Sequence, residues 1–227
     1  MRPLPERPLS LARRLRFAVF PARCPRCGEV IPAQRLFCPA CREELYRQAS
    51  LRRFELPMAD GTRLLPVAAV WKYDDIARRM IGKYKFHGKI DARDALGASM
   101  ACLAEETLQG PFDMAVSVPS RPGRAKDLGF DHAGELARRT ARVLAIPCRR
   151  VLRRREDARV QHTLGRQERL VNLQGAVYSV EDLSGKRILL VDDIVTTGAT
   201  LCACARALYA AGAAQVQAVC AANSPGR

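Results

Sequence analysis

Residues Arg187 to Thr200 read RILLVDDIVTTGAT. An apolar run, Ile188 to Val191, delivers two adjacent acids, Asp192 and Asp193, and then a turn rich in hydroxyls and glycine, Thr196, Thr197, Gly198, Ala199 and Thr200. A short unbroken apolar run between polar residues is the pattern of a central strand in a parallel sheet, which is covered on both faces. Leu201, Ala205 and Leu208 then recur at helical spacing, and Gly212 stands where a left-handed cap would end the helix. The stretch therefore reads as strand, turn and helix start. Such a turn sets backbone N–H groups and threonine hydroxyls at a helix N-terminus, where unsatisfied donors and the dipole favour an anion. A phosphate fits there. The two acids would repel it, and suit instead the hydroxyls of an attached sugar or a metal ion, so the inferred ligand is a ribose phosphate. A Walker-type nucleotide site is excluded, because no GxxxxGK[ST] occurs.

These residues resemble the phosphoribosyl pyrophosphate (PRPP) signature of type I phosphoribosyltransferases, an apolar run followed by two acids, two variable positions and TTG. The resemblance implies that Asp192 and Asp193 hold the ribose hydroxyls and are the catalytic pair. It gives Thr196, Thr197, Gly198, Ala199 and Thr200 to the 5′-phosphate.

Outward from that stretch the chain alternates strands and helices. Leu64 to Tyr73 reads as a strand, and Asp74 to Lys85 as a helix with Ile76, Met80 and Tyr84 on one face. A helix from about Asp91 to Leu108 leads to a buried strand, Asp113 to Val118, and a loop from Ser120 to Phe130. Asp131 to Ala145 is helical again, with Ala133, Leu136, Ala137 and Leu144 as its apolar stripe and Glu135 placed to pair with Arg139. This is the order of an open, mainly parallel α/β sheet, whose ligands bind beyond the strand carboxyl ends. The loops after Val118 and Val191 are therefore expected to meet. The phosphoribosyltransferase resemblance makes Ser117, Val118, Pro119, Ser120 and Arg121 the pyrophosphate loop, with Arg124 and Lys126 adding positive charge.

At 227 residues and 48% hydrophobic content the chain can bury a substantial core. Its 38 Lys and Arg against 23 acids give a formal charge of +15, which favours polyanions: PRPP, pyrophosphate or a nucleic-acid backbone. No window approaches eighteen uninterrupted apolar residues, so no transmembrane helix is expected. Leu9 to Phe20 carries Arg13, Arg14 and Arg16 among leucines and reads as a basic amphipathic lead-in without the apolar core of a secretory signal. Nine cysteines without such a signal point to a reducing, cytoplasmic setting. Cys24-x-x-Cys27 and Cys38-x-x-Cys41 form two knuckles able to point four sulfurs at one ion, the closed shell of structural Zn²⁺. The expected division is a lead-in and zinc-ribbon-like domain over 1–55 and a phosphoribosyltransferase-like domain over 60–227. Cys102, Cys148, Cys202, Cys204 and Cys220 lack partner spacing and read as small buried residues.

Taken in order, the double CxxC, YKFHGK at Tyr84 to Lys89, a VP loop, LGFDH at Leu128 to His132, VQHTLGRQERLVNLQGAV at Val160 to Val177 and the PRPP signature resemble the ComF family over nearly the whole chain. The family's central motif usually reads RGFNQ. The resemblance implies a zinc-ribbon head on a phosphoribosyltransferase domain, associated with natural competence and DNA uptake. It implies PRPP with Mg²⁺ as ligand and transfer of the phosphoribosyl group to an unknown acceptor with release of pyrophosphate. The rival class is a non-catalytic PRPP sensor or single-stranded-DNA-binding factor working with DNA-uptake proteins. Arg149, Arg150, Arg153, Arg154, Arg155 and Arg159 form a basic run that serves either a loop closing over pyrophosphate or a DNA backbone. His132 is a possible acid or base, with His87 and His162 weaker candidates.

Overall fold

A computed structural model describes residues 4–6, 9–49, 53–58, 61, 63–87, 90–120, 131–155 and 176–224. Arg121, Arg124, Lys126, Leu128 to Phe130, Arg159, His162 and the greater part of the Val160 to Val177 motif lie outside the described residues, as do Gly88 and Lys89. The elements in chain order are α1 (Leu11–Val19), α2 (Pro39–Ala49), β1 (Arg53–Pro57), β2 (Leu64–Lys72), α3 (Asp75–His87), α4 (Ile90–Thr107) and β3 (Met114–Ser117). Then follow α5 (His132–Val143), β4 (Cys148–Arg149), β5 (Leu152–Arg154), β6 (Val177–Ser179), β7 (Arg187–Val195), α6 (Ala199–Ala210) and β8 (Gln215–Asn223).

The main sheet has the order β1-β2-β8-β7-β3-β4, and only β1 runs antiparallel to its neighbour. Ile188 to Val191 lie on its central strand β7 and are fully buried, because α5 and the zinc-head side cover one face while α6 and the β5–β6 hairpin cover the other. The strand does not stop at the acids, as the apolar run predicts. It continues to Val195, with Asp192, Ile194 and Val195 still paired to Cys220, Ala222 and Asn223 of β8. The β3 pairing ends earlier, at Ser117 opposite Val191. Among the described residues the acids thus stand on an overhang with a neighbouring strand on one side only, at the carboxyl end of β3 where ligands of open α/β sheets bind.

Two arginines of helix α1 reach across to α4: Arg13 pairs with Asp94 at 2.7 Å and Arg16 with Asp91 at 2.8 Å, while Arg14 is exposed. Its leucines face out, with Leu11 74% and Leu15 64% exposed. The expected Glu135–Arg139 pair does not form. Glu135 instead pairs with Arg138 and, at 3.1 Å, with Arg93, because Arg139 lies on the buried side of α5 against α4. The arginine run is also different from the closing loop that one reading gave it: Arg149 belongs to β4, and Arg153 and Arg154 to β5, whose Leu152 anchors the hairpin in the core.

Candidate functional site

The turn after β7 is shaped by Gly198. Its φ of 76° is left-handed, and a Cβ there would lie 2.3 Å from Leu56 Cδ1, so both conformation and space call for glycine. Gly198 is the N-cap of α6 and brings no side-chain cap of its own, while the exposed Thr197 Oγ1 accepts the Ala199 amide at 3.4 Å. The other first-turn amides have no acceptor within a helix, and the exposed Thr196 hydroxyl belongs to the same turn. Thr200 and Ala199 are half-buried in the first turn. A phosphate oxygen here would meet donors and the positive end of a helix dipole.

Across the overhang the two acids are not equivalent. Asp193 makes an ion pair with Lys85 Nζ at 2.5 Å, a contact that brings in the last turns of α3. Asp192 accepts the Asp193 amide at 2.8 Å. Burial, reinforced by the neighbouring Asp193 charge, pushes the Asp192 carboxyl up to about 8, against the opposing pull of the Asp193 amide, Lys85 and Arg154. Burial and the Asp193 charge thus both favour the protonated form of Asp192, whereas hydroxyl donors would favour its carboxylate. Lys85 and Arg154 are the site residues that motif spacing misses. Lys85 lies inside the quoted YKFHGK segment, one helical turn after the buried Ile81, a cation at the edge of the buried stripe of α3.

Ser117 and Val118 end β3 next to the acids, with the Val118 amide donating to Val191 O at 3.0 Å, so the two loops expected to meet are adjacent. Pro119 and Ser120 continue outward, and Arg121 lies outside the described residues. Asp131 caps α5 by accepting the Gly134 amide at 3.0 Å, and it holds Arg150 at 2.8 Å. An asparagine caps as well as an aspartate, so the Asp131 departure from RGFNQ keeps the helix start and adds an ion pair. His132 is 8% exposed and stacks edge-on to Tyr84, 5.5 Å between ring centroids, while the Tyr84 hydroxyl donates to His132 O at 2.6 Å. That environment locks the α3 and α5 ends together and takes the imidazole out of solvent. His87 ends α3.

The four cysteines are gathered separately. Gly28, at φ 88°, donates its amide to Cys24 O at 2.8 Å and closes the first knuckle. The second knuckle places Cys41 in the first turn of α2, after Pro39 at the position where a helix tolerates proline. The Sγ atoms of Cys24, Cys27, Cys38 and Cys41 lie within 4.8 Å of one another, and Cys27 and Cys38 are 3.6 Å apart. Tetrahedral thiolates on zinc stand ~3.8 Å apart, given Zn–S near 2.3 Å, so the set fits one ion. Burial raises the Cys38 and Cys41 thiols above their ordinary range, a cost that a divalent charge reverses. The head shares a core with the sheet: Phe37 packs edge-on to Trp71 of β2, with ring centroids 6.0 Å apart. Cys102, Cys204 and Cys220 are buried, whereas Cys148 and Cys202 are half-buried.

Comparison with known proteins places both segments. The phosphoribosyl transferase domain family matches residues 131–227, and the double zinc ribbon domain family matches residues 16–53. Competence protein ComFC of Bacillus subtilis (strain 168) is 27% identical over 182 residues, 78% of this chain and 73% of that protein. DNA utilization protein YhgH of Escherichia coli (strain K12) is 30% identical over 204 residues, 87% of this chain and 82% of that protein. Among solved structures, a glutamine PRPP amidotransferase from B. subtilis aligns at a TM-score of 0.40 and 21% identity over 60% of this chain and 30% of that one. The fold is that of a type I phosphoribosyltransferase preceded by a zinc ribbon with a structural four-cysteine metal site. With these two units in this order and a relative matched over most of its length, the chain belongs to the ComF family.

Proposed function

We propose that the β7 overhang and the turn after it bind PRPP, and that the protein is a phosphoribosyltransferase-like factor serving competence and DNA uptake. The observation that carries this reading is the adjacent pair Asp192 and Asp193 on the β7 overhang, followed within a few residues by the exposed hydroxyls of Thr196 and Thr197 and the glycine-led N-terminus of α6. Asp192 and Asp193 orient the ribose through its hydroxyls, while Thr196, Thr197, Gly198, Ala199 and Thr200 take the 5′-phosphate as a remote source of binding energy. Ser117, Val118, Pro119, Ser120 and Arg121 are assigned to the loop that takes the pyrophosphate. In transfer, the bond from C1 to pyrophosphate breaks ahead of attack by the acceptor, and the paired carboxylates stabilise the positive charge that develops on the ring. Charge on the departing pyrophosphate is neutralised by Mg²⁺ carried with PRPP. The DNA connection rests on the names of the relatives, a competence protein and a DNA utilization protein.

Titration calorimetry with PRPP and Mg²⁺ tests the binding reading, and a screen for pyrophosphate release over nucleobases tests catalysis. Absence of heat with PRPP at millimolar concentration sinks the proposal. Binding without release for any acceptor leaves the sensor reading.

A second reading is favoured by the exposure of Arg149, Arg150, Arg153 and Arg155 along β4 and β5. These arginines form a strip suited to the backbone of single-stranded DNA without base readout. Replacing Arg153 and Arg155 by alanine is expected to flatten the salt dependence of DNA binding by about 0.7 per lost phosphate contact. An unchanged slope removes the strip from DNA binding. None of the nine cysteines is in a disulfide, which fits a reducing cytoplasm. Among the described residues no helix is long and apolar enough to cross a membrane.

A further inference from the structure

A second concentration of positive charge lies away from the acids, where α1 crosses the outer side of α4 and α5. Arg13, Arg93, Arg138, Arg139 and Arg142 line a cavity of about 420 Å³ together with Asp94 and Glu135. Five cations against two acids leave a net charge of +3 in a space of small-ligand size. None of its lining residues belongs to the β7 turn or the β3 loop.

Arg139 gives the cavity its floor. It is 8% exposed, and among the described residues its ion pair is a loose contact from Nε to Asp94 at 3.6 Å. Asp94, itself buried, is already engaged by Arg13 at 2.7 Å and Arg93 at 3.1 Å. A guanidinium withdrawn from water and shared three ways on a single carboxylate is under-compensated, and burial accordingly pulls its pKa down. The fold nevertheless makes room for it. A Cβ on Gly97 would fall 2.5 Å from Arg139 Cγ, so α4 presents glycine where the arginine stem crosses. Arg142, on the next turn of α5, is exposed and forms no ion pair among the described residues.

We propose that this cavity binds a small phosphate polyanion, in the class of pyrophosphate, tripolyphosphate or a nucleoside triphosphate, at a site independent of the PRPP turn. The fork geometry of guanidinium groups matches phosphate oxygens in bidentate pairs, and the anion supplies the charge that Arg139 lacks. The site joins three helices, one of which, α5, begins at the Tyr84–His132 junction with α3, the helix whose Lys85 pairs with Asp193.

The test uses the full-length, zinc-loaded protein and titration calorimetry with inorganic tripolyphosphate, then with ATP and with a 20-nucleotide single strand. Arg138→Glu with Arg142→Glu changes only exposed side chains, so the fold should survive. It is expected to weaken tripolyphosphate binding at least about tenfold, the usual loss for charged hydrogen bonds. Asp193→Asn and the charge-matched double surface control Arg78→Glu with Arg79→Glu, both exposed, should each change it less than about twofold. Arg139→Lys, which keeps charge and loses the fork, should fall between. The inference is overturned if the double surface control weakens binding as much as the cavity variant, which marks diffuse charge. It is overturned equally if binding follows Asp193→Asn alone, which assigns the anion to the PRPP turn, or if only the oligonucleotide binds, which makes the arginines a nucleic-acid track. Tripolyphosphate binding with no ATP binding retains the site and identifies its ligand as inorganic.

Discussion

The four-cysteine head and the acid-pair crevice solve opposite problems. The head gathers its ligands from two short knuckles within Cys24 to Cys41, and each knuckle is closed by local geometry such as the Gly28 turn. The crevice draws on β7, the turn into α6, the end of β3, Lys85 of α3 and Arg154 of β5. A closed metal shell needs only spacing. An open ligand site needs topology, because its charges must come from elements that meet only after the sheet has formed.

The largest effect that distinguishes the two regions is expected from Cys38→Ser. Zinc should fall from one ion per chain to none by elemental analysis, and the loss, above about 4 kcal/mol, should lower the melting temperature by roughly 10 °C. Metal-free wild-type protein with the same melting temperature would overturn the metal assignment. Next comes Asp193→Asn, which removes an acid from the crevice without opening the core. PRPP affinity should fall ~10- to 100-fold while the melting temperature falls by only about 2–4 °C, the cost of about 1 kcal/mol for the lost Lys85 ion pair. Equal affinity in the two proteins counts against the assignment.

Gly198→Ala sharpens the comparison from the backbone side. The left-handed φ costs a side chain about 1–2 kcal/mol, and the contact with Leu56 adds to it. The double variant with Leu56→Ala should recover the steric part and leave the conformational part, so the two single effects should not add. Full recovery in the double variant means that the left-handed turn itself costs nothing.

The smallest effect is in pH. Asp192 is raised to about 8 in the folded protein, so between its ordinary value near 4 and about 8 the folded state holds a proton that the unfolded chain has lost. The stability this contributes is complete below the ordinary value and is lost as pH rises through about 8. If PRPP binds through the Asp192 carboxylate as proposed, its affinity should rise over the same window, about fivefold between pH 7 and pH 8. Asp192→Asn should abolish the trend, and a flat profile in wild type would show that the proton is not held there. Lys85→Met should move the trend to higher pH, because Lys85 is one of the groups holding the Asp192 carboxyl down.

Much of this was legible in the chain. Ile188 to Val191 marked a central strand, the Asp192 to Thr200 pattern marked the crevice, and the double CxxC marked the head, each because the information is local. The end of β7 was misjudged, since sequence shows where apolar residues stop and not where a neighbouring strand stops; here β8 carries the pairing on to Val195. Lys85 and Arg154 were hidden for the same reason, as their significance lies in an element paired across the sheet. Arg139 was given the wrong partner because helical spacing ignores which face is buried, and Gly97, which admits it, is an unremarked glycine in an alanine-rich helix.

The Phe37–Trp71 contact carries a thermodynamic consequence. Trp71 is the last buried residue of β2, and the chain enters α3 a few residues later, on the way to Lys85. Phe37 in turn sits immediately before Cys38. The aromatic edge therefore couples the melting of the head to that of the sheet, and calorimetry should record one endotherm in place of two. Phe37→Ala should split it, freeing the metal knuckles to unravel at a lower temperature than the strands they now share a core with.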